Sequence, residues 1–264
     1  MADDPLARHD VALVRADNPG PFTLEGTNTW VVGRDPAWVV DPGPDLPSHV
    51  AAVAAQARAR GGLGGIALTH GHGDHRGALA GLLAAAGPVP VGAMAAQEGE
   101  VRLGDGDRLG PFLAVATPGH ATDHLAFVAG GAGFTGDAVL GRGSVFVNPD
   151  PGALRGYLDG LRRLRELDLE ILFPGHGPVV GDPASKLDEY VAHRLERERR
   201  LLDALARGLR GTGELLDDVW SDAPPALRPA AAVTLRAHLD KLRDEGRLPE
   251  GVDVPERDLG AGEV

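Results

Sequence analysis

Thr69-His70-Gly71-His72-Gly73-Asp74-His75 places three histidines and one aspartate within six residues. The run follows Gly65-Ile66-Ala67-Leu68-Thr69, a short apolar stretch that reads as a strand. From an extended segment, residues 70 and 72 project to the same side. Asp74 and His75 begin the turn into a helix predicted over 76–86, which Gly87-Pro88 closes. Only ten histidines are spread over 264 residues, so this density is not a matter of composition. Imidazole and carboxylate suit Zn, Fe or Mn, and four such groups on one loop can serve more than one cation.

Working outward, the same grammar recurs three times: a strand, then a glycine-flanked ligand residue. The segments are Thr117-Pro118-Gly119-His120, Phe134-Thr135-Gly136-Asp137 and Phe173-Pro174-Gly175-His176-Gly177. Glycine beside the ligand lets the backbone turn sharply and leaves room for what binds. A fourth strand end, Val40-Asp41-Pro42-Gly43, carries an aspartate suited to hold a ligand imidazole by its far nitrogen. His124 follows His120 closely and is read as a packed structural residue, a side chain that holds a loop, or a substrate contact. His193 and His238 lie outside the pattern and read as surface or packing residues.

The intervening chain alternates strand-like and helix-like segments. Strands are predicted at 29–32, 38–40, 89–93, 112–117, 125–129, 133–135 and 170–173. Helices are predicted at 47–60, with Ser48 as N-cap, and at 154–167, where Leu154, Leu158, Leu161 and Leu164 recur at helical spacing. Beyond residue 184 the pattern turns helical: a long charged helix over 186–209, a short one over 214–220 and a third over 229–245. Arg194, Arg197, Arg199 and Arg200 either line a substrate channel or, as their interleaving with Glu196 and Glu198 favours, form a solvated, salt-paired face. The expected division is therefore 1–184, 185–250 and an acidic, disordered tail over 251–264.

Composition bounds the chemistry. There are no cysteines, so thiolate ligands, disulfides and a Cys nucleophile are excluded. A net charge of −12 argues against non-specific binding to long nucleic acids. No stretch is long and apolar enough to be read as a membrane span. The N-terminus lacks the features of a signal peptide, so a cytoplasmic location and no membrane partner are expected. Oligomeric state is not legible.

The order His70-x-His72-x-Asp74-His75, His120, Asp137, His176 resembles the metal signature of the metallo-β-lactamase superfamily. That likeness implies an α/β fold, the αββα sandwich, over roughly residues 10–180. It implies two divalent metal ions, zinc first, with iron or manganese as alternatives. His70, His72 and His120 would hold one, Asp74, His75 and His176 the other, and Asp137 would bridge them; Asp41 would support. A closer resemblance is to the β-lactamase-like protein 2 group, which carries a winged-helix-like C-terminal module. It rests on Thr27-Asn28-Thr29, His120-Ala121-Thr122-Asp123-His124, Gly136 to Gly141, Tyr190 to Arg194 and His238 to Leu242.

The resemblance implies a hydrolase in which metal-activated water attacks a carbonyl or phosphoryl centre, with Asp74 orienting that water or taking its proton. A small ester-type substrate (thioester, lactone or lactam) is the expected partner. Single-stranded RNA is the alternative, and a binding module on an inactive metal scaffold a third reading.

Overall fold

The computed structural model describes residues 4–255. The body begins with a one-turn helix α1 (Pro5–Arg8) and strands β1 (Val11–Arg15), β2 (Asn28–Val32) and β3 (Ala37–Val40). Helix α2 (Pro47–Ala59) and β4 (Leu63–Ala67) follow, then the single turn α3 (Gly73–Arg76), α4 (Leu79–Ala86), β5 (Val91–Ala93) and β6 (Val101–Arg102). The second half runs β7 (Arg108–Leu109), β8 (Phe112–Ala116), β9 (Leu125–Ala129), β10 (Ala132–Gly136), α5 (Ala153–Glu166) and β11 (Ile171–Pro174). The chain ends in α6 (Pro183–Ala206), α7 (Thr212–Val219) and, after a short 3-10 turn, α8 (Arg228–Asp244).

Two mixed sheets form. The first orders its strands β1 to β6 in sequence, antiparallel through β3 and parallel beyond. The second orders them β11-β10-β9-β8-β7, with β10 and β11 parallel and the rest antiparallel. The sheets pack face to face through a fully apolar layer. Trp30, Val40 and Ala67 of the first meet Phe112, Phe127, Phe134 and Phe173 of the second. The outer face of the first sheet is closed by α2 and α4 around Val53 and Leu82. The outer face of the second is closed by α5, whose leucine stripe is buried as its spacing predicts, and by the first half of α6. This is the αββα sandwich.

Helix α6 belongs to two cores. Leu187 and Tyr190 pack on the sandwich, whereas Leu201, Ala204 and Leu205 pack with α7 and α8. The 184/185 boundary thus falls in the first turn of one continuous helix, where the Asp182 carboxylate accepts from the Ser185 N–H at 3.0 Å. Residues 251–255 lie against this module. Asp253 N–H donates to Arg210 O, and Arg236 donates to Pro255 O. The remainder of the expected acidic tail lies outside the described residues.

Several local expectations are corrected. The helix expected over 76–86 is two pieces, because the Ala78 N–H leaves the helical ladder to donate to Gly43 O at 2.8 Å. That break stitches the ligand loop to the turn after β3. Helix α2 starts on Pro47 with no side-chain cap, so Ser48 is inside it. The short helix begins after Gly211, where the Glu214 carboxylate accepts from the Gly211 N–H at 3.1 Å. Strand β1 was not expected; it pairs with β2 along its whole length.

No helix among the described residues is long and apolar enough to cross a membrane.

Candidate metal centre

Five strands, β3, β4, β8, β10 and β11, deliver a polar residue from their C-terminal ends to one edge of the sandwich. They bring Asp41, the 70–75 loop, His120, Asp137 and His176 together, and every His and Asp among them is buried apart from the partly exposed His72. Sites at the carboxyl ends of strands are the usual consequence of layered packing.

The donor atoms form two groups. His72 Nδ1 lies 3.0 Å from His70 Nε2 and 3.0 Å from His120 Nε2, with Asp137 Oδ2 3.5 Å from His120 Nε2. In the second group, His75 Nε2 and His176 Nε2 are 3.3 Å apart, and Asp74 Oδ2 is 3.5 and 3.2 Å from them. Asp137 Oδ1 is 3.4 Å from both of those nitrogens. Asp137 therefore turns one oxygen to each group. Tetrahedral bonds of about 2.0–2.1 Å place neighbouring donors about 3.3 Å apart, so these spacings match cation-sized holes. Asp137 Oδ1 is buried without a hydrogen-bond donor, the condition a cation would relieve.

The outer hydrogen bonds fix which ring nitrogens face inward. The Asp41 carboxylate accepts from Thr69 N–H at 2.7 Å, Thr69 Oγ1 at 2.7 Å and His75 Nδ1 at 2.8 Å. Since Thr69 Oγ1 donates to Asp41, it accepts from His70 Nδ1 at 3.0 Å. His70 and His75 are thereby held with Nδ1 outward and Nε2 turned toward the cluster. Asp41 reaches this position through a left-handed turn, with φ of +53°. Such a conformation is uncommon for a non-glycine residue, and three hydrogen bonds hold it.

His124 is fully buried and touches no open space. Its Nε2 accepts the Asp137 backbone N–H at 3.1 Å, so its Nδ1 carries the proton and donates to Thr117 Oγ1 at 2.8 Å. It positions the loop carrying Asp137 and is not a substrate contact. Two glycines make the cluster possible. A Cβ on Gly136 would lie 2.5 Å from Thr69 Oγ1, and one on Gly175 would lie 2.7 Å from Asp137 Oδ1.

The electrostatics divide accordingly. Burial pushes His70 and His72 below the ordinary imidazole range and takes His120 down to about 4. Burial also opposes charge on His75 and His176, but Asp74 and Asp137 override it, holding His75 well up and His176 at about 9. Burial alone would raise the carboxyls of Asp74 and Asp137; His75 and His176 hold both below their ordinary values. The cluster thus contains two anionic carboxylates, three neutral imidazoles in His70, His72 and His120, and two imidazoles, His75 and His176, on which a proton balances the carboxylates where a cation would take its place. These are the features of a divalent cation site.

The cluster opens on a cavity of about 540 Å3. Phe22 and Phe146 wall it beside His120; the Phe146 ring lies 4.7 Å from the His120 ring. The opposite wall is Arg194 and Arg197 of α6, with Trp220 and Ala231 of the C-terminal module. For Arg194 and Arg197 the channel-lining alternative holds and the solvated face does not. Arg199 is exposed and pairs with Glu196 and Asp203 as expected, but Arg194 and Arg197 are buried. The available signal was spacing: both fall in the buried stripe 187, 190, 194, 197, 201, 204, where apolar residues belong. His238 is buried packing, against Trp220.

The metallo-beta-lactamase superfamily profile matches residues 22–97 and 95–176, and the beta-lactamase associated winged helix domain matches 212–251. A beta-lactamase-like protein 2 homolog of Caenorhabditis elegans is 31% identical over 263 residues, covering 92% of this chain and 88% of its own. Among solved structures, a beta-lactamase domain protein from Burkholderia ambifaria superposes with a TM-score of 0.77 at 20% identity, covering 92% of this chain and 89% of that one. TTHA1623, solved in a di-iron-bound form, gives a TM-score of 0.53 at 30% identity over 64% of this chain and 94% of its own. The chain belongs to the metallo-β-lactamase superfamily of hydrolase-type enzymes, in the β-lactamase-like protein 2 group, and carries the winged-helix domain associated with that fold.

Proposed function

We propose that this chain hydrolyses an ester-type bond in a small substrate, with two divalent cations held by the His/Asp cluster. His70, His72 and His120 would hold one cation, Asp74, His75 and His176 the other, and Asp137 both. When bound, the cations would activate water and polarise the scissile carbonyl. Zinc suits the donor set, as does iron, which the related TTHA1623 binds in its solved form.

The chain's own residues do the rest. Asp74 lines the cavity, and its Oδ2 accepts from Thr27 Oγ1 at 3.2 Å, which in turn accepts from Asn18 Nδ2 at 3.0 Å. So oriented, the anionic Asp74 is placed to direct the attacking water and take its proton. Asp41 and His124 hold His75, Thr69 and the Asp137 loop in register. Phe22 and Phe146 shield the cluster mouth from bulk water.

The single observation behind this reading is the pair of donor groups sharing Asp137 where they line a cavity. A cavity of this size falls within the range of about 300–1,000 Å3 that takes small ligands. The winged-helix match favours a second reading, cleavage of single-stranded RNA. The acidic chain and the burial of α6 and α8 against the cavity count against it.

The test is a panel on metal-loaded protein: a thioester, a lactone, nitrocefin, bis-p-nitrophenyl phosphate and single-stranded RNA. Turnover of an ester-type member, abolished by Asp137→Ala, is expected. Turnover of RNA alone, with a steep negative salt slope, would replace the small-substrate reading.

A further inference from the structure

Among the described residues three arginines are buried: Arg60, Arg194 and Arg197. Arg60 pairs with Asp10 at 2.9 Å and Arg197 with Asp222 at 2.6 Å. Arg194 is 2% exposed, and among the described residues no carboxylate lies in ion-pair range of it. It donates through one nitrogen to Ser144 Oγ at 2.9 Å and to Val145 O, while its Nε has no acceptor. Its guanidinium stands 5.5 Å from the centre of the Tyr157 ring.

The acids nearby do not serve it. Glu189 pairs with Lys186 at 3.1 Å, and Asp222 is taken by Arg197. The neighbouring phenols stay neutral; burial pushes Tyr157 up to about 12 and raises Tyr190 as well. A buried cation without a counter-ion is costly by several kcal/mol. Tethering the 144–145 loop needs only a neutral donor. Yet this cation lines the same cavity as the cluster, whose remaining walls are largely apolar.

We propose that Arg194 binds an anion in the cavity, and that the substrate is an ester-type compound with an apolar body and an acid group, carboxylate or phosphate, besides the bond that is cut. The ester part rests on the hydrolase reading; the anion site does not. The acid group would lie against Arg194 where it lines the cavity, and the apolar body would lie along Phe146 and Trp220.

Binding by calorimetry separates the two. The probes are 4-phenylbutyrate, 3-phenylpropyl phosphate and neutral 4-phenylbutan-1-ol, on the full metal-loaded chain. At least one anion should bind about tenfold or more tighter than the alcohol, a difference of about 1.4 kcal/mol, and the tighter anion names the acid. Arg194→Gln should abolish that preference, and so should Ser144→Glu. The latter keeps Arg194 but places a competing carboxylate beside it, covering the case in which Arg194→Gln fails to fold. The preference should survive His72→Ala. Equal binding of acid and alcohol, a preference that survives in Ser144→Glu, or one lost in His72→Ala alone would each overturn the proposal. Anion preference without hydrolysis of any ester would sink the hydrolase reading and leave Arg194 as an anion site.

Discussion

The two ends of the cavity are built by opposite means. At the cluster end, each polar residue sits within a few positions of a strand end, and glycines such as Gly136 and Gly175 make the room. His70, His75 and Asp74 are fixed by hydrogen bonds from outside the cluster, whereas His120 Nδ1 is buried without a partner. At the module end, the polar residues lie mid-helix on α6, where the helix passes from one hydrophobic core to another. Local chain geometry dictates the first end; packing of two cores against one helix dictates the second. Chemistry common to the fold can then be kept in the strand ends, while the α6 face sets what enters.

The largest effect should come from the residue that joins the two donor groups. Asp137→Ala should remove bound metal and hydrolysis together, checked by elemental analysis beside the activity assay. Retention of full activity in a metal-free preparation would break the cluster half of the comparison. Next, Asp41→Asn should weaken metal binding by about 10–100-fold, because it loosens His75 and, through Thr69, His70. Excess metal should restore most of the turnover, which a competition titration against a chelator would show.

On the module side, Glu198 is buried and accepts from Lys241 at 2.7 Å and Arg247 at 3.1 Å. Glu198→Gln should cost about 1–3 kcal/mol in thermal or urea unfolding, given that one partner is half-exposed, with metal content unchanged. Loss of metal in that variant would mean the two ends are not separable. The smallest effect concerns His238, buried with neither ring nitrogen partnered, where burial and nearby Arg194 and Lys241 keep the imidazole neutral. Its folded value lies below the unfolded one of about 6.5, so the unfolded chain takes up the proton first. Stability should be full above that pH and decline as the solution is acidified. His238→Phe should flatten the melting temperature against pH between 7 and 5.

Much of this was legible from residue order. The strand-then-ligand grammar placed His70 to His75, His120, Asp137 and His176 on one edge because their side chains depart directly from strand ends. Asp41 was legible for the same reason. What was not legible depended on distant partners. The break between α3 and α4 arises from a hydrogen bond to Gly43, some 35 residues away. Which loop His124 holds required knowing that the Asp137 amide faces it. Arg194 and Arg197 were masked by alternation with Glu196 and Glu198, which looks like an exposed face until the stripe from Leu187 to Ala204 is known to be buried.

The most direct test is the metal stoichiometry of the purified chain by elemental analysis, in wild type and in Asp137→Ala. About two equivalents of a transition metal in the wild type, falling sharply in the variant, is the expected result. A wild-type chain that takes up no transition metal from excess zinc or iron would contradict the account.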